Sequence, residues 1–127
     1  MIKVQREDFD VGAELEGLAR GNHRIGGLAS FVGLVRDFAA GERGANERTL
    51  SAMTLEHYPA MTEKMLARVE AEARARWPLD ATLIVHRYGR LEPGEKIVLV
   101  ATASSHRQAA LDSCAFLIAW LKTKAPF

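Results

Sequence analysis

Three groups of cationic side chains in this 127-residue chain have types and spacings suited to chemistry. The first is His106-Arg107, flanked by Ser105 and Gln108. A hydroxyl residue followed three positions later by Gln fits a capping box, which predicts a helix starting there. A helix start carries partial positive charge and favours acidic residues, yet here it presents two cations. Cations in that position, beside free backbone N–H groups, suggest an anion site. The alternative is a surface Arg reaching away to a carboxylate.

The second group closes the helix that follows. Its expected buried stripe is Ala110, Leu111, Cys114, Leu117, Ile118 and Leu121, at helical spacing. Lys122 follows Ile118 by four positions and so lies about 40° from it, on the edge of the apolar face. Lys124 lies about 200° further round and points to solvent. A lysine bordering a dry face is available as base or nucleophile; the alternative is one that snorkels from a buried helix end. From His106 to Lys122 is about 24 Å along a helix, too far for one small ligand. The two features serve separate sites, or a two-fold dimer brings one chain's helix start beside the other's helix end.

Arg36 is the third candidate. It stands where the apolar run 28–35 gives way to a polar, Gly-containing stretch, so it can clamp a phosphate or carboxylate, or be a plain strand-end cation. Cys114 falls in the buried stripe with no flanking cation and reads as a core residue. His23, His57 and His86 show no ligand spacing, so no metal is expected. No phosphate-cradling glycine loop occurs.

The elements that must position these residues fill one domain over 1–127. Hydrophobic residues make up 48% and charged residues 26%, as in ordinary globular proteins. With 17 basic against 16 acidic side chains, no broad footprint for nucleic acid or membrane exists. A single cysteine excludes an internal disulfide. The N-terminus lacks a signal-peptide core and no apolar run reaches spanning length, so a cytoplasmic protein is expected.

Strands are expected at 2–5, 28–35, 50–57, 82–88 and 96–103. A short helix follows an Asp10 N-cap, with Leu15, Leu18 and Ala19 on one side. A second runs from Pro59 to Trp77-Pro78 on a spine of Met61, Met65, Val69 and Ala73. Its Glu70/Arg74 and Glu72/Arg76 pairs read as a solvated face. Residues 37–48 read as a mobile loop and 91–95 as a turn. The order β-α-β-β-α-β-β-α implies an α+β fold with helices packed on a mostly antiparallel sheet.

Six segments in chain order resemble the large, catalytic subunit of molybdopterin synthase. They are Phe31-Val32-Gly33-Leu34-Val35-Arg36, Leu55-Glu56-His57-Tyr58-Pro59-Ala60-Met61, Arg76-Trp77-Pro78-Leu79, His86-Arg87-Tyr88-Gly89-Arg90-Leu91, Ser105-His106-Arg107 and Leu121-Lys122-Thr123-Lys124-Ala125-Pro126-Phe127. Each is weak alone, and together they are specific. The resemblance implies an α/β-hammerhead fold and a sulfurtransferase that forms molybdopterin from cyclic pyranopterin monophosphate. It implies a homodimer within a heterotetramer, with a thiocarboxylated ubiquitin-like small subunit at each end as sulfur carrier, and no resident cofactor.

The resemblance also makes Lys122 the catalytic lysine and puts Leu34, Val35 and Arg36 at the substrate-contacting strand end. His106 and Arg107 acquire a phosphate to bind, and Cys114 is not needed because sulfur is imported. Family members continue past Ala125-Pro126-Phe127 with a tail carrying a second lysine, which this sequence lacks. The competing expectations are a non-catalytic relative that only binds the ubiquitin-like partner, and a stand-alone phosphate-ligand binding protein.

Overall fold

The computed structural model describes residues 1–36, 53–55 and 59–124. The loop expected over 37–48 lies outside them, as do 50–52 and 56–57 of the third expected strand and the 125–127 terminus. Strand β1 (Ile2–Gln5) leads to helix α1 (Val11–Ala19). The Asp10 carboxylate caps α1 by accepting from Ala13 N at 3.0 Å, the expected solution for an orphan helix donor. Then come β2 (Gly27–Leu34), β3 (Met53–Leu55), α2 (Pro59–Arg76), β4 (Ala81–Arg87), β5 (Gly89–Leu91), β6 (Lys96–Ser104) and α3 (Arg107–Lys124).

Four strands form one sheet in the order β1-β4-β6-β2, with β1 parallel to β4 and the other two pairs antiparallel. This is the α+β arrangement expected. The strand β5 was not: residues 89–91 carry no alternation, and β5 exists because it pairs antiparallel with β3. Its stability comes from a partner more than thirty residues away in sequence, which local pattern does not encode.

Both faces of the sheet are covered. Leu66, Val69 and Ala73 of α2 and Cys114, Leu117 and Leu121 of α3 pack on Ile84, Val98 and Val100. On the reverse face Leu83, Val85, Leu99 and Ala101 join Phe9, with Val11, Leu15 and Leu18 of α1 alongside. Alternate residues of β4 and β6 serve opposite cores, so both strands read as unbroken apolar runs. Full burial of a Leu such as Leu66 or Leu117 contributes roughly 1.5–3 kcal/mol.

Two expected helix faces need correction. In α2, Met61 is 61% exposed, and Leu66, not Met61, joins Val69 and Ala73 in the core. Glu70 does not pair along the helix: its carboxylate accepts from the Met1 ammonium and from the Thr82 hydroxyl, tying α2 to β1 and β4. Glu72 and Arg76 do pair, at 2.6 Å. In α3, Leu111 is 51% exposed, so the buried stripe narrows to Ala110, Cys114, Leu117 and Leu121.

Candidate functional site

The start of α3 is built differently from the capping box expected. Buried Ser104, not Ser105, accepts from His106 N at 3.1 Å, and its hydroxyl donates to Pro78 O at 2.7 Å. Gln108 turns forward to Asp112 at 2.9 Å. His106 and Arg107 are left exposed at the helix start, and the first turn holds no acidic residue. Gly26 lies against this corner: its N–H donates to Ser104 O at 2.9 Å, and a Cβ there would come within 2.7 Å of Ser105 O. Arg107 borders a cavity of about 250 Å³ that Gly26, Gly27, Leu28, Ala29, Ala110 and Leu111 also line.

From that corner α3 runs back along β6. The Thr102 hydroxyl donates to Ala110 O at 2.7 Å, and Cys114 lies by Val100 O at 4.0 Å, so the later helix meets the earlier strand. Strand β2 runs the same way, from Gly27 opposite Ser104 to Leu34 opposite Lys96. Leu121 and Val35 consequently belong to one buried cluster. The chain therefore gathers Leu34, Val35, Arg36 and Lys122 at one end of the sheet and His106 with Arg107 at the other. Arg107 and Lys122 are about 22 Å apart along the helix.

Lys122 is exposed in the single chain. Among the described residues the dry border expected for it is absent: Leu121 beside it is buried and Ile118 half-buried, but Lys122 itself is exposed. Lys124 is the last residue of α3, and its side chain lies outside the described residues. Leu34 is 52% exposed while Val35 is buried, so only Leu34 and Arg36 offer side chains to solvent. Burial pushes the Cys114 thiol up to about 11, which leaves it inert near neutral pH.

The end holding Arg36 contains a charge network not singled out from the sequence. Arg87 ends β4 with its side chain only 8% exposed. Its Nε donates to Arg6 O at 3.0 Å and its Nη1 to Lys96 O at 3.0 Å and Glu95 Oε1 at 3.1 Å. An arginine ending an apolar strand, followed by a turn rich in Glu, was the available signal. Among the described residues no cluster of three or more His, Cys, Asp or Glu is arranged to hold a metal, and no helix is long and apolar enough to cross a membrane.

Residues 4–124 match the family described as MoaE protein. The molybdopterin synthase catalytic subunit of Pseudomonas aeruginosa is 54% identical over 126 residues, covering 99% of this chain and 80% of that protein. The solved molybdopterin biosynthesis MoaE protein from Burkholderia ambifaria superposes with a TM-score of 0.85 at 49% identity, over 99% of this chain and 78% of that one. The crystal structure of molybdopterin synthase from Staphylococcus aureus gives a TM-score of 0.81 at 29% identity, over 94% and 82%. With its fold, its motifs and nearly its whole length matched, this chain belongs to the MoaE family, the catalytic subunits of molybdopterin synthase.

Proposed function

We propose that the chain transfers sulfur from the C-terminal thiocarboxylate of a small ubiquitin-like subunit to cyclic pyranopterin monophosphate, in the cytoplasm and as one domain over 1–127. Lys122 is the catalytic residue. Its ammonium donates a proton and steadies the oxyanion that develops at the thiocarboxylate carbon, and the neutral amine so formed accepts a proton back during sulfur addition. Leu34 and Arg36 contact the substrate beside it, while Val35, expected to join them, is buried and holds the strand end between them; His106 and Arg107 hold the phosphate.

The observation that carries this reading is the division of these residues between opposite ends of one sheet. A two-fold homodimer makes each pocket from both chains, uniting Arg36 and Lys122 of one with His106 and Arg107 of the other. The same apposition gives exposed Lys122 the desolvated surroundings that the single chain lacks. A small subunit at each end completes a heterotetramer.

Single-turnover assays with thiocarboxylated partner test the assignment. Lys122→Ala lowers conversion by roughly 10²–10⁴-fold, the range for losing a positioned acid or base, while partner docking survives. Lys124→Ala stays near the wild-type rate. Both changes remove one charge from the same helix end, so dipole effects largely cancel in the comparison. Equal losses in the two variants would reduce the lysines to a diffuse basic patch. A wild-type chain that docks its partner without turnover would be a binding module.

A further inference from the structure

We infer that Arg87 and Glu95 form a positioning clamp that fixes where β2 ends and thereby where Arg36 stands. The inference rests on the reading that Arg36 binds the anionic substrate.

The ladder between β2 and β6 does not set this point unaided. Gly33 pairs with Val98 but Leu34 pairs with Lys96, so the register shifts between them. At such an irregularity one extra residue faces the partner strand and local pairing is weakened. A slip of one residue there would turn the side chain of Arg36 to the other face.

What holds the next residue is the β5–β6 turn. Val35 N donates to Glu95 O at 2.9 Å, and Gly94 N donates back to Val35 O at 2.9 Å. The turn is itself braced. Glu95 N donates to Glu92 O at 3.0 Å, while the Glu95 carboxylate accepts from Glu92 N at 2.8 Å. Gly94 supplies the left-handed φ of +91° that the reversal needs.

The other oxygen of Glu95 meets the Arg87 guanidinium. Arg87 in turn is anchored to the ends of β1 and β6 through the Arg6 and Lys96 carbonyls, with Asp8 Oδ1 at 3.8 Å. A nearly buried guanidinium must stay paired, because stranding it without a carboxylate is costly. The chain of contacts therefore runs from the sheet's rigid centre, through Arg87 and Glu95, to the backbone of Val35 and on to Arg36. Neither Arg87 nor Glu95 needs to touch substrate.

The test is a double-mutant cycle on the dimeric enzyme reconstituted with thiocarboxylated partner. Glu95→Ala raises KM for the phosphorylated substrate about tenfold, the scale of a misplaced charged hydrogen bond, with kcat within about twofold. In an Arg36→Ala background the same change adds less than about twofold, because the group it positions is already gone. Glu95→Gln keeps an acceptor for Glu92 N and raises KM by no more than about threefold. It also supplies a second test if Glu95→Ala folds poorly.

Equal KM penalties in both backgrounds would overturn the clamp while leaving Arg36 as a substrate ligand. A fall in thermal stability with KM unchanged would also overturn it. An Arg36→Ala variant with unaltered KM would overturn the reading of Arg36 as a substrate ligand, and the clamp with it.

Discussion

Arg107 stands at a helix start where its charge is unfavourable to the fold and favourable to an anion. Those opposite effects separate function from stability in one substitution. Arg107→Ala weakens binding of the phosphorylated substrate by roughly 1.5–3 kcal/mol, the range for hydrogen bonds to charged groups. Thermal stability is unchanged or slightly higher, since a cation leaves the positive end of α3. Calorimetric titration and a melting curve on the same sample check both halves; unchanged affinity would move the anion site elsewhere. Cys114 offers the complementary case. It is buried with its thiol raised to about 11, so Cys114→Ala keeps full sulfur transfer and costs about 1 kcal/mol of packing. Loss of turnover without loss of fold would instead make it a relay for sulfur.

Among the elements, the β5–β6 turn has a pH signature of its own. The Glu92 backbone N–H and then the Arg87 guanidinium hold the Glu95 carboxyl below its ordinary 4.5. A carboxyl depressed in the folded state contributes its full stabilisation above that ordinary value and loses it as pH falls through the lowered one. The stability gap between wild type and Glu95→Gln is therefore flat from pH 7 to about 5 and closes at more acid pH. Denaturant melts across that range check it; a gap that widens on acidification would contradict the assigned cause. This turn also shows where sequence reading stops. Apolar alternation and caps gave α1, α2, α3, β1, β4 and β6 nearly to their ends, because those signals are local. β5 went unseen, since only β3 makes it a strand. The role of Ser104 as cap was assigned to Ser105, because both are hydroxyls and only burial against Pro78 distinguishes them. The cationic start of α3 and its separation from Lys122 at the other helix end were legible from helix spacing. The Arg87–Glu95 pair was not, because its meaning lies in which backbone it braces.

For the molecule as a whole, the proposed pocket needs two chains. Arg36 with Lys122, and His106 with Arg107, occupy opposite ends of a sheet that no bend brings together. The proposed shared pocket predicts a homodimer as the smallest stable unit, so light scattering at micromolar concentration is expected to give twice the chain mass; a well-folded monomer with full activity on partner addition would sink the shared pocket. The most direct measurement is complementation. Lys122→Ala chains and Arg107→Ala chains, each nearly inactive as homodimers at subsaturating substrate, are mixed under conditions that exchange subunits. In a shared-pocket heterodimer one pocket carries both substitutions and the other carries neither. With random exchange the mixture recovers about a quarter of wild-type activity, since half the dimers are mixed and each has one intact pocket. Activity that never exceeds the average of the two parents, after exchange is confirmed by mass, would mean that each pocket is built within a single chain.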